Sequence, residues 1–161
     1  MTYYIILFTI LLICSAFFSG TETAFFHIRK YRDKTPDKIT RVLDRPRRLL
    51  ISLLTGNTII NVSIASIAAY ITHAYAQKYQ LGESFLIFIE VILVSIIILI
   101  FGEILPKMLA IKKSEEFALK VYNPLQFILF ILYPLAQGFY YITNSLINIL
   151  PVSKEKIFDS E

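Results

Sequence analysis

One cysteine in 161 residues leaves no disulfide framework and no thiolate metal cluster. That residue, Cys14, lies inside the first apolar run. Histidine is nearly as scarce. His27 and His73 fall in segments expected at opposite membrane faces, which excludes a two-histidine metal site. Charge is thin: 17% of residues are charged against 56% hydrophobic, and mean hydropathy is +0.63. That is too apolar for a soluble domain of this size and points to an integral membrane protein. No Lys or Arg precedes the first apolar run, so the secretory pattern of a basic start and a small-residue cleavage site is missing. Internal repeats and low-complexity segments are absent. The net charge of +4 sits in loops, where it bears on membrane orientation before nucleic acid. Membrane lipid is the expected partner, and nucleic acid is not.

What is present is a set of long apolar runs. A spanning helix needs about 20 mostly apolar residues, and three stretches qualify, at about 3–28, 49–75 and 85–106. Between the first two, residues 29–48 hold nine Lys/Arg and three Asp, with Pro36 and Pro46 dividing them. Asp37 to Asp44 is expected to form a short surface helix with Asp37 in its first turn. The connector from His73 to Ser84 is nearly neutral. Lys107, Lys112, Lys113 and Lys120 follow the third run. The positive-inside rule then places the N-terminus outside and residues 29–48 in the cytoplasm.

Residues 121–152 are uncharged and long enough to cross. However, Gln126, Tyr133, Gln137, Asn144 and Asn148 recur near multiples of a helical turn and define a polar stripe. Such a helix either lies in the inner interface or spans with its stripe against protein. Pro124 and Pro134 are expected to break or bend it.

Chemistry is concentrated in three short motifs. Glu103 stands in Gly102-Glu103-Ile104-Leu105-Pro106-Lys107 at the inner end of the third span, where an acid is costly without a partner. Pro106 has no N–H, so in a regular helix the Gly102 carbonyl loses its bond. A carboxylate beside a freed carbonyl gives the hard oxygens that Mg²⁺, Ca²⁺ and Na⁺ prefer; the alternative is a kinked helix end with Glu103 reaching the interface beside Lys107. In the second span Asn57 and Asn61 share one face and follow Gly56. They suit either chelation or packing between helices. In the first span Ser15 and Ser19 share a face, followed by Gly20-Thr21-Glu22-Thr23. Each serine alone is explained by a bond to its own i−4 carbonyl. Glu22 either serves the same site or pairs with Arg29 or Lys30. The convergence of oxygen-bearing residues from three helices, with a carboxylate and no thiolate, suits a hard cation and not zinc or copper. No general base attends either serine, so an enzyme is not expected.

Phe18-Ser19-Gly20-Thr21-Glu22-Thr23-Ala24, Gly56-Asn57-x3-Asn61 and Gly102-Glu103-Ile104-Leu105-Pro106-Lys107, in that order around a basic first loop, resemble the transmembrane domain of the CorC/CNNM (cyclin M) magnesium transporter family. The resemblance covers about residues 3–150. It implies an all-α integral membrane fold: three transmembrane helices, a short cytoplasmic helical pair between the first two, and an amphipathic juxtamembrane helix over about 113–150. It implies magnesium transport by a homodimer in the plasma (inner) membrane, as Mg²⁺ export coupled to Na⁺ entry, with a pocket open to the cytoplasm. The ligands implied are Ser15, Ser19, Asn57, Asn61 and Glu103. Gly56, Gly102, Glu22 and Thr23 are additional candidates. The alternative is a dimeric membrane anchor that senses Mg²⁺ without moving it. Full-length relatives continue into ATP-binding CBS modules, which this chain does not contain; it is expected to be a truncation or a short member.

Overall fold

The structure, a computed structural model, describes residues 2–29, 37–80 and 82–149. It is helical throughout these segments, in the order α1 (Thr2–Arg29), α2 (Asp37–Leu43), α3 (Pro46–Tyr79), α4 (Glu83–Ile97), a π-helical stretch (Ile98–Ile104), α5 (Leu105–Lys112) and α6 (Ser114–Ile149). Three helical runs are long and apolar enough to cross a membrane: α1, α3, and the unit from Glu83 to Lys112. In such a run the backbone groups bond along the helix itself, as a hydrocarbon environment requires, except where Pro106 has no N–H to give. At about 1.5 Å rise per residue, each exceeds the roughly 30 Å of a bilayer core.

Several boundaries differ from those read in the sequence. The second helix begins at Pro46, three residues early, because proline fits the first helical position, where no N–H is needed. It runs on to Tyr79 and stops where Gln80 turns left-handed, with φ 52°. The connector therefore starts later than His73. Pro106 does not end the third span, which continues to Lys112. Pro124 and Pro134 both lie inside α6, which is assigned as one helix through them. The helical pair implied between the first two spans is represented by α2 alone; residues 30–36 lie outside the described part. Of the expected polar stripe, Gln126 is exposed and Gln137 half-buried. The side chains of Tyr133, Asn144 and Asn148 fall outside the described residues.

Helix α1 is the hub, packed against α3, α5, the π stretch and α6. The apolar core gathers at one end of the bundle, where Phe25, Ile28, Ile39, Leu53, Ala118 and Leu125 meet. Helix α2 is thus not simply a surface helix: Ile39, Val42 and Leu43 are buried. Ala118, Val121 and Leu125 recur at i, i+3 and i+7 and turn one face of α6 into the same core. At the other end α4 buries no residue, so its apolar side chains face outward, as lipid contact demands. Two glycines let helices close. A Cβ on Gly56 would lie 2.3 Å from the Phe18 ring, and one on Gly20 2.8 Å from Phe117. His27 Nδ1 lies 3.2 Å from Ser114 Oγ, which joins the end of α1 to the start of α6.

Gly56→Ala overpacks Phe18 and is expected to lower stability by about 1–3 kcal/mol. Gly138→Ala meets nothing within 4 Å and should raise it by up to about 1 kcal/mol through helix propensity. Thermal unfolding in detergent compares the two. At the start of α6, Lys120 and Lys113 lie 2.8 and 3.1 Å from Glu116 and hold its carboxyl below the ordinary glutamate value. A depressed carboxylate stabilises the fold above its unfolded value, and the contribution disappears as pH falls through the lower folded value. Amide exchange at residues 114–118 should therefore differ between wild type and Glu116→Gln at neutral pH and converge in acid.

Candidate functional site

Ser15, on the inward face of α1, is fully buried, and Ser19 one turn on is 1% exposed. The Ser15 hydroxyl does not bond back to its own helix. It donates to Asn61 Oδ1 at 2.7 Å and lies 3.2 Å from Asn57 Oδ1. Asn57 and Asn61 are one turn apart on α3, so their amides reach the same point. Asn61 uses its Nδ2 to donate to Glu103 Oε1 at 3.4 Å. Ser19 donates to the backbone carbonyl of Glu103, also at 3.4 Å. The structure therefore brings Ser15, Ser19, Asn57, Asn61 and Glu103 into one polar cluster on three elements.

The third element is not a regular α-helix here. Residues 98–104 are π-helical, and the Leu105 N–H reaches back five residues to the Ile100 carbonyl. Pro106 supplies no N–H to either the four-back or the five-back carbonyl, Gly102 or Phe101. Single π turns within α-helices are rare and frequent at functional sites. Gly102 is buried against α1: a Cβ there would lie 2.8 Å from Ser15 Oγ. Gly102 thus serves the site through its missing side chain. Gly56 serves packing, since its open side is filled by Phe18.

The electrostatics of the cluster are unbalanced. Ser15 has one proton and two amide oxygens in reach. Turning the Asn57 amide over would offer Nδ2 and make an ordinary hydrogen bond; the structure turns both oxygens inward instead. Together with the Glu103 carboxylate and carbonyl, the cluster gathers several hard oxygen acceptors. Such a donor set matches Mg²⁺, Ca²⁺ or Na⁺ chemically. Among the described residues no group of three or more His, Cys, Asp or Glu gathers as a metal site.

Glu22 and Thr23 lie elsewhere. With Phe26, His27, Lys107 and Ile111 they line an open cleft of about 490 Å³. Glu22 is three residues beyond Ser19 and Lys107 four beyond Glu103, which puts this cleft about one turn from the cluster. Glu22 and Lys107 line the same cleft; Lys30, one of the two partners the sequence offered for Glu22, lies outside the described residues. Sequence reasoning missed the π stretch and the Ser114 partner of His27. It also missed Thr21, which is fully buried with a hydroxyl that has no partner among the described residues. Proline four residues after a glycine was the available signal for the first; the other two depend on which helix lies alongside.

Known proteins give this geometry its setting. The family model of the cyclin M transmembrane N-terminal domain matches residues 6–159. A UPF0053 protein of Haemophilus influenzae is 32% identical across 89% of this chain and 36% of its own length. A chloroplastic DUF21 domain-containing protein of Arabidopsis thaliana is 30% identical across 88% of this chain and 22% of its own. The UPF0053 inner membrane protein YfjD of Escherichia coli is 26% identical across 84% and 31%. The chain thus spans about a third or less of the length of these relatives. With three membrane-crossing helices and a match across nearly its whole length, this chain is a multi-pass membrane protein and belongs to the cyclin M transmembrane-domain family.

Proposed function

We propose that this chain is the membrane domain of a magnesium transporter that exports Mg²⁺ in exchange for Na⁺. The observation that carries the reading is the surplus of inward-facing oxygens around Ser15: two amide oxygens and one hydroxyl within 3.2 Å, with the Glu103 carboxylate bonded to Asn61. Surplus acceptors repel one another at low dielectric, and a cation among them adds attractive contacts to each oxygen that outweigh this repulsion. Glu103 supplies the charge. Ser15, Ser19, Asn57 and Asn61 replace hydration oxygens that Mg²⁺ gives up reluctantly. Na⁺ favours the same hard donors, so the two ions compete for one pocket.

The cleft at Glu22 and Lys107 is the route from the cytoplasm. In this reading the N-terminus is outside, the basic segment around α2 is cytoplasmic, and α6 lies along the inner interface. The protein acts as a homodimer in the inner membrane and is not an enzyme. The wider activity of longer relatives, including any regulation by CBS modules, belongs to the same proposal.

Isothermal titration and flux into vesicles carrying a Mg²⁺ indicator test it. Glu103→Ala should abolish binding and flux. Ser15→Ala and Asn61→Ala should weaken binding by roughly 10- to 100-fold, the worth of one contact to a charged group. Undiminished binding by Glu103→Ala ends the proposal. Binding without flux in the wild type instead identifies a sensor, and flux indifferent to a Na⁺ gradient removes the exchange step. Gly102→Ala tests the geometry separately. Its Cβ pushes Ser15 off the amide oxygens, so Mg²⁺ affinity should fall while circular dichroism stays helical.

A further inference from the structure

Glu90 is the one charged residue in 85–101, and the oxygen cluster makes no use of it. It stands half-buried on α4. Its Oε2 is shielded and has no hydrogen-bond partner among the described residues. Buried carboxylate oxygens are normally paired, so an orphan inside a span requires something that neutralises it.

No described side chain does so. Leu86, Ile87, Leu93 and Val94, one turn away along α4 on either side, are all apolar. α4 packs against α3 and runs on into the π stretch. The two spans run antiparallel, with His73 Nδ1 2.6 Å from Glu83 Oε1 at one end and Asn61 bonded to Glu103 at the other. Glu90, between these anchors, is level with about residues 66–69 of α3. There the hydroxyls of Ser63 and Ser66 donate to the carbonyls of Ile59 and Val62 in their own helix. The ionisable groups that follow on α3 are Tyr70, whose ring lies 4.9 Å from that of Tyr4, and His73, held by Glu83. Lys78 lies further out, over the ring of Tyr79. In the π stretch the one acid is Glu103, held by Asn61. Nor does Glu90 reach the interface by leaning. It is about 10 Å along the helix from Glu83, beyond the reach of a glutamate side chain.

A metal cation or a proton would neutralise such an acid. A metal cation needs several oxygens around it, and the neighbours of Glu90 offer hydrocarbon. A proton needs no such shell. We propose that Glu90 is a proton-binding site. It carries its proton while α3 and α4 are packed together. When water enters between them the O–H bond breaks, the proton passes to that water and a carboxylate remains; closure reverses the step. Acid therefore favours the packed form, and alkali the opened one. The site is separate from the cluster at Ser15. Its part in transport rests on the reading above, in which Glu90 lies on the outer side of the cluster and its carboxylate, once bared, draws the outgoing cation from Glu103.

Dicyclohexylcarbodiimide, an apolar reagent that couples to protonated carboxyls, tests the site on the full chain in liposomes, read by peptide mass spectrometry. At neutral pH Glu90 should label at least about tenfold faster than the exposed Glu83 at the same end of the span. Equal labelling of the two would overturn the proposal. So would suppression of Glu90 labelling by Na⁺ or Mg²⁺ in Glu103→Gln, which marks a metal site. Glu90→Gln keeps a neutral polar side chain and should leave Mg²⁺ binding in calorimetry within about twofold of wild type. Wild-type Mg²⁺ flux should rise as the buffer on the side away from α2 is made alkaline, by at most about tenfold per pH unit, the limit for one proton. Glu90→Gln should lose that dependence and Glu90→Asp retain it. A pH dependence that survives in Glu90→Gln removes Glu90 from transport. Absence of flux in the wild type, with Glu90 still labelled, removes the transport reading and leaves the proton site standing.

Discussion

Ser15 has one proton to give and stands between two amide oxygens that both face it. Most of the structure around it exists to hold that crowding in place. α1 must cross α3 closely enough for a short serine side chain to reach Asn57 and Asn61. It must also meet the third span closely enough for Ser19 to reach the Glu103 backbone. Glycine permits the second approach, since a Cβ at 102 would press to within 2.8 Å of the Ser15 hydroxyl. In water such a cluster would be solvated. Between membrane helices it persists only because the neighbouring packing fixes it.

That packing is unevenly distributed. The buried apolar residues gather at one end, where α1, α2, α3 and α6 interlock around Phe25, Ile39, Leu53 and Leu125. Toward the opposite end α3 buries Ile64, Ala68 and Ala76, while α4 contributes nothing buried. The polar cluster sits at the junction of these two ends. The π stretch lies at that junction. Its widened turn and the missing N–H of Pro106 give the third span a backbone that is already irregular where Glu103 must be presented.

Membership of the cyclin M family and the local chemistry point the same way by separate routes. The family match rests on sequence across residues 6–159, whereas the oxygen surplus is a matter of distances among five side chains. Neither needs the other.

The sequence by itself determined the membrane class and the three spans, because hydropathy over about 20 residues is a local property that tertiary contacts do not alter. It also determined which residues carry oxygen donors and that Asn57 and Asn61 share a face, since helical periodicity is local. Boundaries were legible only to within a few residues: Pro46 starts a helix, and the helical runs holding Pro106, Pro124 and Pro134 continue past them. Tertiary structure alone decided the rest. Whether Ser15 bonds to its own turn or across to α3, and whether Gly56 lines a site or receives Phe18, depend on which neighbour lies a few ångströms away. Helical spacing fixes the direction of a side chain around its own axis; only packing fixes what it meets there.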